Sequence, residues 1–157
     1  MKFDHLVEIN DPLNPLIDPL SRAQLWRGLV MRAEEPTLFV FGLDSFRILE
    51  TRADSLVREL DFGTVIVRDR VEFLQGRQVR YATEEQPLMA AASLTMTIEE
   101  PQPDRYYLRF EYDDGRAQGD ASSEAFYSEF RQSAYVEADI DTVKVIRRLA
   151  AEGRRGE

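Results

Sequence analysis

The sequence predicts an α+β domain in which a seven-stranded curved antiparallel sheet wraps around one long C-terminal helix. Two observations carry this. Apolar residues alternate with period two in one segment at the start and in six successive segments through the middle, and recur at helical spacing only after the first strand and over the last quarter of the chain. The order of elements completes the argument, because a bent sheet left with a single long helix must bury its apolar face against that helix, and the pairing tends to enclose a hollow.

Residues 2 to 9 set Phe3, His5, Val7 and Ile9 on one face against Lys2, Asp4 and Glu8 on the other, which is a strand. NDPLNPLIDPL follows with three prolines and is irregular. Ser21 stands three before Gln24 as a capping box, and Leu25, Trp26, Leu29, Val30 and Ala33 recur at helical spacing up to Pro36; a second short helical turn spans Thr37 to Val40. Phe46 and Ile48 open the meander, and a bend at Ala53 and Asp54 leads to Leu56, Arg58, Leu60 and Phe62.

With Gly63 and Thr64 as a hairpin loop, Phe62 faces Val65, Leu60 faces Val67, Leu56 faces Val71, Arg58 faces Asp69, and Glu59 meets Arg68 on the opposite face. A turn at Gln75, Gly76 and Arg77 then pairs Phe73 with Val79 and Val71 with Tyr81, while Glu72 meets Arg80 and Arg68 meets Glu84. Ala92, Leu94, Met96 and Ile98 form the next apolar face, and beyond Pro101 and Pro103 the strand of Tyr106, Leu108, Phe110 and Tyr112 returns. Ser122 caps a helix to about Ala151 through Phe126, Phe130, Ala134, Ile140, Val143 and Leu149; roughly 28 residues at 1.5 Å each give about 40 Å, enough to cross the sheet.

The chain of 157 residues, 43% hydrophobic, is long enough for one core, and residues 1–157 read as one domain. A net charge of −9 disfavours nucleic acid and anionic membrane surfaces as partners, and the sequence has neither an apolar leader nor a run of eighteen apolar residues. Arg147, Arg148, Arg154 and Arg155 complement the C-terminal end of the helix dipole. The absence of cysteine suits a reducing cytoplasm and removes disulfides and thiolate chemistry. One histidine cannot build the usual zinc sets, so no metal and no cofactor is expected. The adjacent acids Glu34 and Glu35, Glu84 and Glu85, and Asp113 and Asp114 read as solvated surface. The loop DDGRAQGDASS lacks the lysine of a phosphate cradle.

Arg58 and Asp69 are the first candidates for function, since they share a face built from Leu56, Leu60, Phe62, Val65, Val67 and Val71. Either Arg58 offers its guanidinium to a ligand while Asp69 holds it in place, or the two form a satisfied cross-strand pair at the sheet's edge or rim. His5 is either a proton-transfer group or a core histidine with one hydrogen bond. Tyr81, Tyr106 and Tyr112 each bring a hydroxyl to the inner face, for a ligand or for backbone and water. Trp26, Met96, Phe110, Phe126 and Phe130 are core residues first and pocket lining second.

The opening FDHLVEINDPLNPLIDPLSRAQLWRGLVMRAEEP, together with ELDFG and VRDRV, resembles the AtaL-like family of the SRPBCC superfamily, the START and birch-pollen-allergen-like proteins of helix-grip fold. The resemblance covers nearly the whole chain. It implies a cavity between sheet and long helix for a mostly apolar small molecule, more often bound than transformed. Plant relatives carry a glycine-rich loop between their second and third strands, where this chain has TRADS. The expected function is therefore binding of a hydrophobic or amphipathic small molecule, with Phe110, Met96 and Phe130 as apolar contacts and Tyr81, Tyr112, Arg58 and His5 orienting it. The alternatives are a cyclase or dehydratase acting on a polyketide-like or aromatic substrate, and a protein-interaction module like the superfamily's chaperone-activating members. A homodimer is compatible with any of the three.

Overall fold

The computed structural model describes residues 2–85, 90–114 and 122–155, with side chains of the last segment described from 129 to 153. The elements are β1 (Lys2–Asn10), α1 (Arg22–Glu34), a 3-10 turn (Pro36–Leu38), β2 (Ser45–Thr51), β3 (Ser55–Asp61), β4 (Ile66–Leu74), β5 (Gln78–Thr83), β6 (Ala92–Gln102), β7 (Arg105–Asp113) and α2 (Ser122–Arg155). The strands form one curved antiparallel sheet in the order β1-β7-β6-β5-β4-β3-β2. The six-strand meander lies in sequence order, and β1 closes onto its last strand.

The hairpin registers follow from matched faces. Arg58 opposes Asp69, Glu59 opposes Arg68 and Leu60 opposes Val67, with Gly63 at φ 87° supplying the left-handed turn residue that an L side chain rarely adopts. Val71 opposes Tyr81 and Glu72 opposes Arg80 in the next hairpin. One strand runs longer than its prolines suggest: β6 continues through Pro101 to Gln102, because its register shifts between Glu99 and Gln102 and the missing N–H falls in that irregularity.

Helix α1 starts as a capping box, the Ser21 hydroxyl accepting from the Gln24 N–H at 3.0 Å and the Gln24 side chain accepting from the Ser21 N–H at 2.9 Å. The turn expected over Thr37 to Val40 is a 3-10 turn starting at Pro36. The proline loop before α1 is clamped by buried Asn10, which donates to the Leu20 carbonyl at 2.6 Å and accepts its N–H at 2.9 Å.

Helix α2 has 34 residues, about 50 Å at 1.5 Å per residue, with Ser122 as its first helical residue rather than its cap. Its buried stripe is Asp139, Thr142, Val143 and Ile146. Phe130 and Ile140 instead stand 68% and 42% exposed. The apolar residues misstate the helix's phase because the seam contains Asp139 and Thr142. Phe130 lies five residues before Tyr135, which faces the sheet, and so about 140° round the helix from it. The two helices meet at Gly28, where a Cβ would fall 2.6 Å from Ile146 Cγ2, so only glycine allows this approach.

Arg147 does more than complement the dipole: its guanidinium donates to the Ile9 carbonyl at 2.6 Å and the Asp18 carbonyl at 2.9 Å, tying α2 to β1 and the proline loop. Its pKa is lowered because burial disfavours the charge and the nearby Asp18 only partly opposes this. Asp114, expected on solvated surface, is an ion-pair partner of Arg131 at 2.7 Å.

Candidate functional site

The inner face of β5, β6 and β7 ends in a partly open cavity of about 160 Å³, lined on that face by Tyr81, Thr83, Ala92, Leu94 and Tyr112, covered by Tyr135 of α2 and bordered also by Ser93, Asp113 and Asp114. Strand alternation puts these β-residues on one face, and the Tyr112–Tyr135 stack, with centroids 4.0 Å apart and planes within 8°, fixes the side nearest the helix. The interior beyond is closed by buried Val79, Met96, Leu108 and Phe110. A wider surface cleft of about 710 Å³ lies outside this space, between the proline loop and Asp104 and Tyr106.

The polar groups beneath the helix fall into three sets. Asp139, buried on α2, accepts a hydrogen bond from the Tyr112 hydroxyl and lies 3.1 Å from His5 Nδ1. Burial holds the Asp139 carboxyl above its ordinary range, although the bonds from Tyr112 and His5 pull the other way. Burial likewise pushes the Tyr112 phenol far up, and the adjacent Asp139 charge adds to it.

Arg58 and Asp69 make the second set, 3% and 4% exposed. Arg58 donates to both Asp69 oxygens at 2.9 and 2.6 Å and to the Ala33 carbonyl at 2.9 Å. The pair is therefore satisfied, but deep under α1 rather than at the rim, and its guanidinium is committed to protein acceptors.

Arg32 of α1 and Tyr81 of β5 are the third set. The Arg32 and Arg58 Cζ atoms lie 4.9 and 5.1 Å from the Tyr81 ring centroid. The Tyr81 hydroxyl and Arg32 Nε are buried and make no well-aligned hydrogen bond among the described residues, while the Arg32 guanidinium lies within side-chain hydrogen-bond reach of the Tyr81 hydroxyl. Burial works against the Arg32 charge, yet coupling to Tyr81, Tyr112 and Asp139 outweighs it and leaves its pKa raised.

Of the sequence candidates, Tyr81 and Tyr112 line the cavity, and His5 does not, being linked to Tyr112 through Asp139. Met96 and Phe110 are sealed in the core because they sit nearer the middle of their strands. Trp26 packs edge-on against Phe73, with centroids 6.3 Å apart. Tyr106 is buried at the other end of β7, borders the surface cleft and lies under Arg22. Phe130 faces outward, and the Phe126 side chain lies outside the described residues. Asp139, Arg32 and Tyr135 were missed. Each is a polar or aromatic residue carried by a helix; the i, i+4 step from Tyr135 to Asp139 to Val143 could have signalled the two on α2, and no pattern marks Arg32 on α1. Among the described residues no acidic or histidine cluster suits a metal ion, and no helix is long and apolar enough to cross a membrane.

The model of the family described as acetylaranotin biosynthesis cluster protein L, AtaL, matches residues 7–153. The chain belongs to the AtaL family. No curated protein matches this AtaL-family chain in sequence. Solved structures match it in fold. The di-domain aromatase/cyclase StfQ from the steffimycin biosynthetic pathway superposes with a TM-score of 0.72 at 11% identity over 99% of the chain, which spans 52% of StfQ. The Zhui aromatase/cyclase from Streptomyces sp. R1128 gives 0.64 at 18% identity, with 100% of this chain and 96% of that one covered. Ara h 8.0201 gives 0.60 at 12% identity, covering 94% and 98%. The AtaL-family chain thus has the helix-grip fold, and at these identities the likeness is one of fold alone.

Proposed function

We propose that the protein binds a small amphipathic molecule by inserting a ring-sized group between the sheet and α2, without chemistry. The observation that supports this is the cavity of about 160 Å³ walled by the Tyr81 and Tyr112 side chains, Ala92 and Leu94, with Tyr135 over it. A dry cavity of about 150 Å³ takes up benzene, so the space suits one ring, and any larger part of the ligand extends outward past Tyr135. Ligand binding stabilises by an amount set by concentration over Kd, about 2.7 kcal/mol at a hundredfold excess. Thermal shift and native mass spectrometry with single-ring compounds test the reading. Ala92→Phe, which fills the cavity, abolishes the shift; a shift that survives it, or no shift with any ring compound, overturns the proposal.

A second reading is a proton-transferring enzyme of cyclase or dehydratase type. It draws on Tyr112, whose phenol lies on the cavity wall and donates to the buried Asp139 carboxyl beside His5. Two fold neighbours, StfQ and Zhui, are aromatase/cyclases, which accords with it. Turnover of a cyclising substrate that is lost in both Tyr112→Phe and His5→Gln supports it, and turnover unchanged in both removes it.

A further inference from the structure

We propose that the ring entering the cavity is a bare hydrocarbon, and that the site rejects a ring carrying a hydroxyl, a ring nitrogen or a charge on its inward end. This rests on the binding reading above and names its ligand class, an amphipathic molecule that enters apolar end first and keeps its polar groups at the mouth. Among the described residues, the polar side chains around the space are committed elsewhere. The Thr83 hydroxyl donates to the Ala92 carbonyl and accepts the Ala92 N–H, both at 3.1 Å, and so is used up within the β5–β6 pair. The Tyr112 hydroxyl donates to Asp139. The Tyr81 hydroxyl is buried within reach of the Arg32 guanidinium. Asp114 is paired with Arg131 at 2.7 Å. Ser93 and Asp113 oppose each other one residue out of step with the inward pair Leu94 and Tyr112, so strand parity sends their side chains to the outer face, where they border a separate groove with Thr95 and Glu111.

Desolvation then sets the selection. What meets a guest is chiefly Ala92, Leu94, the Tyr81 ring and the Tyr112–Tyr135 stack. A hydrocarbon ring loses no hydrogen bond on entering such a wall and gains by the burial of its apolar area. A hydroxyl or a ring nitrogen gives up its hydrogen bonds to water and finds none in return, and a charged group loses more. Because the cavity is partly open, this penalty falls on the inward end of the guest alone, and a polar group at the other end stays in water past Tyr135. Size alone would not make the distinction, since a ring nitrogen takes no more room than the C–H it replaces.

Calorimetric titration with two isosteric probes tests this: phenylpropanol, and its pyridyl analogue with the nitrogen para to the tail, at a mildly alkaline pH that keeps the pyridine uncharged. The neutral alcohol tail keeps Asp113, Asp114 and Arg131 at the mouth out of the comparison. The pyridyl compound must bury a polar atom whichever end enters. Phenylpropanol is expected to bind about tenfold or more tighter, the effect of burying one polar atom without a partner. Ala92→Ser sets one hydroxyl in the wall with little change of volume and narrows the ratio to about threefold or less, because the ring nitrogen then has a donor. A pyridyl compound that binds as tightly as phenylpropanol in wild type, or a ratio unmoved by Ala92→Ser, overturns the bare-ring class and leaves the cavity reading standing. No binding by either probe overturns both.

Discussion

Asp69→Ala should be among the most destabilising single substitutions in this protein, and the structure sets the size. Asp69 accepts two of the three hydrogen bonds that Arg58 makes, and Arg58 is 3% exposed, so solvent cannot take its place. Removing one member of such a pair leaves an uncompensated buried charge and costs about 3–5 kcal/mol. Against a total of about 5–15 kcal/mol that is a large share. At an m-value of about 2 kcal/mol per molar urea the midpoint falls by about 1.5–2.5 M. The double variant Arg58→Met/Asp69→Leu removes both charges together and is expected to recover most of the loss, because a hydrophobic replacement of a buried pair is often neutral or better. Equilibrium urea denaturation of wild type, both single variants and the double variant forms the cycle. A single-variant loss under about 1 kcal/mol, the size of an exposed pair, would refute the claim that burial sets the energy. So would a double variant as unstable as the sum of the singles.

Three further outcomes follow from the packing. Gly28→Ala destabilises by about 1–3 kcal/mol despite the better helix propensity of alanine, because its Cβ meets the stiff, branched Ile146, and in thermal melts the same substitution costs less in an Ile146→Ala background than in wild type. Asn10→Ala costs about 2–3 kcal/mol and accelerates amide exchange at Leu20, since both backbone groups of that buried residue lose their partner. The third concerns pH. Asp139 has its folded pKa raised above its ordinary 3.8, so the folded state holds its proton longer than the unfolded one. Its stabilising contribution is complete below that value and is lost as pH rises through the folded pKa. Stability of wild type relative to Asp139→Asn, measured by denaturant titration from pH 3.5 upward, must therefore fall with rising pH; a difference that grows with pH contradicts the burial argument.

The fold was readable because each of its decisions is made by residues close in sequence. Period-two alternation and opposed charges set the β3–β4–β5 registers down to Arg58 opposite Asp69 and Glu72 opposite Arg80, since a slip of one residue would turn every apolar side chain outward. The start of α1 was readable for the same reason, its cap lying within four residues. Pro101 misled because a local rule against proline in strands gives way where the register shifts anyway.

The site was less readable, and the reason is physical rather than statistical. A residue's face on a strand is fixed by parity alone, so Tyr81 and Tyr112 could be placed on the inner wall. A residue's face on a long helix depends on the phase of its seam, and a seam containing Asp139 and Thr142 gives no apolar stripe to read. Phe130 was consequently assigned inward and Asp139 ignored, although Asp139 is the residue that clasps His5 and Tyr112. The same reasoning separates the two arginines. Arg58 stands out in sequence because it interrupts an apolar strand face, yet a charge placed there needs a partner in the protein, and Asp69 provides it. Arg32 interrupts no apolar face on its helix and so gives no such signal, although its guanidinium lies over the Tyr81 ring.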